Sequence, residues 1–461
     1  MKTIKRIFAV LVCLCVVCSC AVFAVSAAEA TGSITIQNPS NSNATVAGKT
    51  FNVYKIFNAT TSGNNTSYSW YTASNGDVPF KNFFFGDADG YNYLNKESGT
   101  VQEVVEKIAL IGDNNNNTNN FELSQFAESL HDYIVDTGVP TYIDPIVASS
   151  TATSVNIPDL SYGYYLVYDD TDLGGTDTSV VRSAVMLSNV NKDAIISLKA
   201  NRPQVLKQVE ENNGTFGKGT SVNIGEVVTF KITTAVPSHT LYTNYQYFVE
   251  DTMHDGLELD ASTIKVQKGE ELLTKDTDYT LTLAQGAVDF KVDFTASMNI
   301  AGKFATGDPL IITYDAKVTS AIEAQTANQN IVKLTYSNDP TNDASTGSVS
   351  DSANVYSYQF VFTKFAQDTN GVLTNVRLSG AEFQLYRVVE NQSDELVTFT
   401  EQPATNASGA AFTKYIVADN GSGTTDKLVV HGEGQASITL DHLNMGGHLG
   451  DVFIFGLAEG K

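Results

Sequence analysis

The sequence predicts a mainly β protein built of tandem two-sheet sandwich domains, with a few helices inserted in the first domain. The chain has 461 residues, which is too many for a single hydrophobic core. Short segments that alternate apolar and polar residues recur along it, separated by Gly, Asp, Asn and Ser turns, as in β-sandwiches. With 34 glycines, 10% aromatic residues and only 10 prolines, the composition fits a β-rich globular protein rather than a disordered one.

The N-terminus has the layout of a secretory signal peptide, which we place at residues 1–27. Basic residues within positions 2–6 precede an apolar run over 7–25, and the small residues at 26–28 follow it. Two alternatives stay open. The chain could be cleaved as a lipoprotein before Cys20, or the apolar run could stay as a membrane anchor.

The exported protein is expected to contain no disulfide, because all four cysteines lie at positions 13–20, inside the leader. It must rely on packing or on another covalent bond. The formal charge is −23, and removing the three basic leader residues from 28 leaves 25 against 51 acidic ones, or −26. Such an acidic surface argues against nucleic-acid binding.

The first domain is predicted over residues 30–200. Period-two alternation predicts strands, and apolar residues on one face predict two helices. The asparagine run between the helices is predicted to be a loop, since asparagine competes with helical backbone bonds. The predicted strands span 33–36, 50–57 and 162–168, the helices 101–111 and 121–135, and the loop 114–120.

The second domain is predicted over 201–356 and is nearly all strand. An incomplete third domain is predicted over 357–461, and its last residues end in a turn between strands. The predicted strands of the second domain span 227–232, 247–249, 264–266, 279–283, 310–314 and 331–336, and the third domain opens with the stretches 358–365 and 380–387.

Lys207 begins an alternating strand at the start of the second domain. A lysine in a sandwich core is desolvated, which lowers the pKa of its amine and leaves it neutral and nucleophilic. A carboxylic acid in the same apolar site has its pKa raised, so it can donate a hydrogen bond to the carbonyl of an asparagine side chain. The amine would then displace ammonia and form a Lys-Asn amide, because folding holds the groups together.

Asp251 and Asn330 are the candidates for the acid and the electrophile. Asp251 is expected at a strand end beside apolar residues. Alternation over 328–336 carries Asn330 onto the apolar face of its strand, and Asn328 with it, so Asn328 stays an alternative. The residues alone also allow a structural role for all three, as a solvated edge lysine, a turn cap and a loop asparagine.

Four segments of the second domain together resemble the isopeptide-forming second domain of Gram-positive sortase-assembled major pilins. In that family the three positions are the bonding lysine, the catalytic aspartate and the bonding asparagine, and they fall on Lys207, Asp251 and Asn330. The stretches Thr31–Ile36 and Tyr162–Val167 also look like the N-terminal pilin domain. The resemblance implies immunoglobulin-like and collagen-adhesin-type sandwiches. The four segments are Leu206–Val209, Phe248–Leu257, Ile312–Val318 and Asn330–Asn338.

Lys199 is the candidate for linkage between subunits. Members of this family place a lysine before asparagine between the first two domains, and a sortase joins it to the next subunit. Here the segment reads Ser197-Leu198-Lys199-Ala200-Asn201, without the family's tyrosine and proline. An exposed linker lysine with no covalent role is the alternative, and Lys192 is the other candidate amine.

The third domain resembles the collagen-adhesin B-type domain, in which a lysine also forms an isopeptide bond. Lys364 matches that lysine, within Phe362-Thr363-Lys364-Phe365. The family's glutamate follows a Gly-Leu-x-x-Gly turn, which matches Gly456–Gly460, so it would lie beyond Lys461. The bonding asparagine and the sorting signal would lie there too. The chain is therefore expected to be a C-terminally truncated form of a longer protein.

The resemblance implies a structural subunit of a covalently polymerised pilus, secreted and held at the cell wall, and not an enzyme. Its implied partners are other pilin subunits, a sortase and a host extracellular-matrix or glycan ligand, with no nucleic acid. The alternative is a non-polymerising cell-wall adhesin that uses the same domains as a stalk. No cofactor and no metal are expected, because the sequence holds no HExxH, P-loop or GxSxG motif.

Overall fold

The computed structural model describes residues 30–39, 44–62, 65–86, 91–112, 118–388, 393–405, 411–418, 422–430 and 451–458. The predicted signal peptide and its cysteines lie outside the described residues, as does the end of the predicted turn at 456–460. In the described part of the chain, no helix is long and apolar enough to cross a membrane.

In the first domain, the part of the chain that the structure describes forms two sheets and three helices. Its elements are β1 Thr31–Gln37, β2 Thr50–Ser62, β3 Asn65–Trp70, α1 Lys81–Phe85, α2 Val101–Gly112, α3 Thr118–Thr137, β4 Ile146–Val147, β5 Ser154–Ser161, β6 Gly163–Asp169, β7 Met186–Val190 and β8 Ala194–Ser197. The order β5-β1-β8 forms one sheet, and β3-β2-β6-β7, with β4 against β2, forms the other. One core lies between the sheets, and a second core packs β2 and β6 against the helices.

The second domain is a sandwich of two six-stranded sheets. Its elements are β9 Val205–Glu210, β10 Phe216–Gly217, β11 Gly219–Ser221, β12 Val227–Ala235, β13 Tyr247–Met253, β14 Leu257–Lys268, β15 Glu271–Leu272, β16 Thr280–Gln285, β17 Val288–Asp293, α4 Thr295–Met298, β18 Pro309–Val318, β19 Asn328–Ser337 and β20 Thr346–Tyr356. The orders are β10-β9-β12-β18-β14-β15 and β11-β20-β19-β13-β17-β16. The inward faces of both sheets form one continuous core.

The described residues of the third domain form a four-stranded sheet and three strand pairs. Its elements are β21 Tyr358–Thr363, β22 Phe365–Gln367, β23 Leu373–Arg377, β24 Glu382–Phe383, β25 Tyr386–Arg387, β26 Glu395–Leu396, β27 Phe399–Thr405, β28 Ala411–Val417, β29 Leu428–Val429 and β30 Asp451–Leu457. The sheet order is β21-β30-β28-β27, and the pairs are β22-β23, β24-β29 and β25-β26. A small core lies beneath the sheet.

The structure confirms the mainly β fold class and both predicted helices of the first domain. The asparagine loop predicted over 114–120 was wrong at its end, because α3 begins at Thr118. The first turn of a helix tolerates asparagine, since its N–H groups have no partner within the helix. The stretch 380–387 contains two short strands, β24 and β25, which pair with different strands.

The first two domains meet in a packed junction. The segment around Val181, in the loop before β7, contributes to the core of the second domain. Arg182 donates a hydrogen bond to the carboxylate of Asp339 at 2.9 Å, and its backbone N–H donates to the carbonyl of Asn338 at 2.8 Å. Tyr336 donates to the carbonyl of Ser179 at 3.1 Å. The linker that carries Lys199 runs beside this junction.

Candidate functional site: a buried lysine between two sheets

The second sandwich brings four polar side chains together in the middle of its core. Lys207 lies on β9 and Tyr314 on β18, which belong to the same sheet and flank β12. Asp251 on β13 and Asn330 on β19 come from the facing sheet. Every second residue of these strands faces inward, and all four side chains are buried.

The register of the second sheet places Asp251 and Asn330 side by side. Asp251 pairs with Val332, and Met253 pairs with Asn330, so the two polar residues are diagonal neighbours on one face. The predicted alternation of β19 is confirmed, because Asn328, Asn330 and Val332 are all buried. The expectation that Asp251 lies at a strand end was wrong, since β13 continues two residues further, to Met253.

The amine of Lys207 has two polar partners and lies near two aromatic rings. It forms an ion pair with Asp251 Oδ2 and a hydrogen bond of 2.6 Å with Tyr314 Oη. The Nζ atom lies 5.3 Å from the ring centroid of Phe230 and 5.1 Å from that of Tyr314. The charged amine is thus removed from water and is held by only one carboxylate.

Burial shifts the pKa values of both members of the pair in the directions that favour their neutral forms. Desolvation lowers the pKa of Lys207 to about 8, and the nearby carboxylate of Asp251 offsets only part of this effect. Desolvation also raises the pKa of Asp251, against the opposing effects of Lys207 and Tyr314. Both shifts favour transfer of the proton from the amine to the carboxylate, which would leave a neutral nucleophile beside a protonated acid.

The amide of Asn330 is only half satisfied. Its Nδ2 donates a hydrogen bond of 2.7 Å to Tyr314 Oη. Its Oδ1 is buried and has no hydrogen-bond partner in the described part of the chain. Burying a carbonyl group without a hydrogen-bond partner costs roughly 1–3 kcal/mol of stability. The same oxygen can accept a hydrogen bond from an acid that becomes protonated within the site.

Asn328 is buried on the same face but is engaged elsewhere. Its Oδ1 accepts the backbone N–H of Glu323 at 2.8 Å. Its Nδ2 donates to the carbonyls of Glu323 at 2.8 Å and Val355 at 3.0 Å. These bonds hold the turn before β19 against β20, which is a structural role.

Sequence reasoning missed Tyr314 as a member of this site. Its hydroxyl contacts three polar side chains: it bonds to Lys207 and Asn330, and it donates to Asp251 Oδ1 at 2.9 Å. The available signal was its place on the inward face of an alternating strand, since a buried tyrosine hydroxyl needs a partner. That signal does not say which partner.

The backbone of Lys207 is fixed by a second ion pair at the sheet edge. Its N–H donates to Asp351 Oδ2 at 2.7 Å, and its carbonyl accepts from Lys218 Nζ at 2.9 Å. Lys218 and Asp351 also pair with each other. Both backbone groups of the lysine are thereby tied to β20 and the β10–β11 connection.

The other candidate lysines lie apart from this site. The side chain of Lys199 is exposed, while its N–H donates to Ser183 Oγ at 2.9 Å and its carbonyl accepts the N–H of Ala184 at 3.1 Å. Partial desolvation lowers the pKa of its amine. Lys192 is exposed. Lys364 is half-buried between β21 and β22, and its carbonyl accepts the N–H of Leu378 at 3.0 Å.

Residues 224–340 match the family model described as Gram-positive pilin backbone subunit 2, Cna-B-like domain. The matched segment contains Asp251, Tyr314, Asn328 and Asn330, and Lys207 lies before it. No curated protein matches the sequence.

Most of the chain is similar in structure to solved major pilins. The T6 backbone pilin of serotype M6 Streptococcus pyogenes superposes with a TM-score of 0.50 at 18% identity, over 87% of this chain and 80% of that one. The major pilin SpaA of Corynebacterium diphtheriae superposes with a TM-score of 0.43 at 16% identity, over 93% of this chain and 84% of that one. At such identities the likeness to the T6 pilin establishes the modular β fold.

Proposed function

We propose that this chain, whose residues 224–340 match the model of a pilin backbone domain of the Cna-B-like kind, is a structural subunit of a covalently polymerised cell-surface pilus. In this proposal an autocatalytic bond between Lys207 and Asn330 stabilises the subunit. The observation that carries it is the enclosed cluster in which a buried amine, a buried acid and a half-satisfied amide all contact one tyrosine hydroxyl.

The bond forms by aminolysis of the asparagine side chain. Lys207 transfers a proton to Asp251 and becomes a neutral amine. The Nζ atom then attacks the Cγ of Asn330, and the protonated Asp251 donates a hydrogen bond to the developing oxyanion on Oδ1. The Cγ–Nδ2 bond breaks and ammonia leaves, so the product is a Lys-Asn amide and no cofactor or external oxidant is consumed.

The lack of cysteine after the leader supports this reading. A multi-domain shaft under load needs links that do not open when a domain is stretched, and the sequence after position 27 offers no disulfide. A bond between β9 and β19 joins the first long strand of the sandwich to a central strand of the facing sheet. Pulling on the ends of the domain would then load a covalent bond rather than hydrogen bonds.

Lys199 is our candidate for linkage to the next subunit by a sortase. Its side chain is exposed, while its backbone is fixed by Ser183 and Ala184 beside the domain junction. A fixed backbone with a free amine presents the nucleophile without the ordering cost of a flexible loop. Lys192 is the alternative amine. Other pilin subunits and a sortase are the partners that this assembly requires, and a host matrix or glycan ligand remains the expected target.

The intact mass of the purified chain tests the internal bond. The wild-type protein is expected to weigh less than its sequence by one ammonia, and Asp251→Asn is expected to restore the full mass. A full-mass wild-type protein would refute the bond. Polymerisation is tested separately in a Gram-positive host with its sortase, where a ladder that survives boiling in detergent supports the shaft. A single band in that host would instead favour the non-polymerising adhesin.

A further inference from the structure

We propose that the hydroxyl of Tyr314 carries the proton from the attacking amine of Lys207 to the leaving nitrogen of Asn330. This inference rests on the proposed Lys207–Asn330 bond and adds a second catalytic residue to it. The tyrosine thereby separates two tasks that would otherwise both fall on Asp251.

The distances place the hydroxyl between the two nitrogens that exchange a proton. Tyr314 Oη lies 2.6 Å from Lys207 Nζ and 2.7 Å from Asn330 Nδ2. Both distances are within the reach required of a general acid or base. Asp251, by contrast, has one oxygen on the amine and the other on the tyrosine hydroxyl, and no hydrogen bond joins it to Asn330 Nδ2 among the described residues.

Aminolysis needs a proton donor at two different atoms of the amide. The carbonyl oxygen must be stabilised as charge develops, and the nitrogen must be protonated before it can leave as ammonia rather than as an amide anion. Within the described residues Asn330 Oδ1 has no hydrogen-bond partner, so it can accept a hydrogen bond from Asp251 once that carboxyl group is protonated. Asn330 Nδ2 already contacts Tyr314, so the tyrosine is the group in position to protonate it.

The proton balance closes without any further group. When Nζ bonds to Cγ, the amine nitrogen becomes positively charged. It passes one proton to Tyr314 Oη, and the hydroxyl passes its own proton to Nδ2 in the same step. The Cγ–Nδ2 bond breaks, ammonia leaves, and both Tyr314 and Asp251 end in the protonation states in which they began the attack.

The surroundings of Tyr314 suit a relay rather than a permanent acid or base. Its ring stacks on Phe230 at 5.5 Å and meets Phe290 edge-on at 4.8 Å, so the hydroxyl is held in one place. Burial raises the pKa of the phenol well above its usual range. The hydroxyl therefore stays neutral, and it can transfer a proton only by receiving another at the same time.

The test measures how fast the full chain loses ammonia after cell-free synthesis. Samples taken over time are quenched in acid and denaturant, and their intact mass is measured. Tyr314→Phe keeps the ring and removes the hydroxyl, and it is expected to slow the reaction by roughly 10²-fold. The matched control is Tyr247→Phe. It removes another buried hydroxyl of the same domain, one that bonds to Thr234 and to the carbonyl of Ala235, and it is expected to react at about the wild-type rate.

A second variant guards against a simple folding defect in Tyr314→Phe. Incorporation of 3-fluorotyrosine at position 314 alters the acidity of the phenol with almost no change of shape, and it is expected to change the rate. The relay is overturned if Tyr314→Phe reacts within about threefold of Tyr247→Phe, or if fluorination leaves the rate unchanged. A wild-type chain that never loses ammonia would instead refute the underlying bond, so the two failures are distinguishable.

Discussion

The amine of Lys207 and the carboxylate of Asp251 form an ion pair between two facing sheets, and both side chains are 0% exposed. Removing two charges from water costs several kcal/mol for each ion, so a buried pair adds little stability by itself. Burial also shifts the pKa of each group toward its neutral form. These properties are the reason for our proposal that the pair is the precursor of a reaction rather than a structural salt bridge.

The two buried asparagines of β19 are expected to behave differently. Asn330→Ala removes the electrophile, so the chain should keep its full mass. Asn328→Ala should still lose one ammonia, because the bonds of Asn328 to described residues go to the turn at Glu323 and to neighbouring backbone. Intact mass and sequencing of the cross-linked peptide distinguish the two variants. Retention of full mass in Asn328→Ala with normal reaction of Asn330→Ala would reverse the assignment.

The bond is expected to contribute strongly to stability. The double variant Lys207→Met with Asp251→Leu removes the bond and both members of the buried ion pair, and it should lower the free energy of unfolding of the second domain by about 4–5 kcal/mol, the chain-entropy value for a closed loop of about 120 residues. The measurement is a denaturant titration of both proteins.

Removing one member of a buried ion pair is destabilising by itself, whereas replacing both members by apolar side chains is often neutral or stabilising. The loss in the double variant therefore reports the covalent bond. Lys231→Met on the neighbouring strand is the control, because its amine lies only over the ring of Phe216 at the sheet surface. Equal stability of the two variants would contradict the prediction.

Substitutions of Lys199 and Lys192 are expected to have different effects on assembly. Lys199→Ala should abolish the detergent-resistant ladder and leave the ammonia loss intact, because the side chain of Lys199 lies outside the second core. Lys192→Ala should change neither result. The measurement is gel electrophoresis of cell-wall extracts from a host with the sortase. A ladder lost only in Lys192→Ala would move the linkage to that lysine.

The junction between the first two domains should be sensitive to pH through Glu128 on α3. Desolvation, with Asp132 and Asp343 nearby, raises the pKa of Glu128 to about 7. Because its folded-state pKa lies above the unfolded value, the contribution of Glu128 is most favourable below about pH 4.5 and is lost as the pH rises to about 7. Glu128→Gln should therefore stabilise the protein at pH 8 relative to wild type, by about 1–2 kcal/mol after allowance for solvent screening.

The matched control for Glu128 is Glu103, whose pKa is shifted the other way. The side chain of Lys96 and the backbone N–H of Thr100 lower the pKa of Glu103, so its contribution is present above about pH 4.5 and is lost as the pH falls. Glu103→Gln should thus give no gain in stability at pH 8. Thermal melts at pH 5 and pH 8 provide the measurement. A gain for Glu128→Gln that is equal at both pH values would contradict the role of its ionisation.

The amino-acid pattern by itself determined the mainly β fold, the inward face of β19 and the three residue types of the candidate reaction. Alternation has a period of two, so it assigns each side chain of a strand to one face. On that basis Asn328 and Asn330 were equivalent, and Tyr314 was one apolar position among many.

Only the tertiary structure decided which inward side chains meet. Two sheets face each other through a register and a twist that the pattern of one strand does not encode. That packing brings Tyr314 from one sheet against Asp251 and Asn330 of the other. The side-chain amide of Asn328 instead hydrogen-bonds to the turn at 323–326. The sequence therefore predicted candidate groups for a bond, and the packing of the sheets added the hydroxyl that connects them.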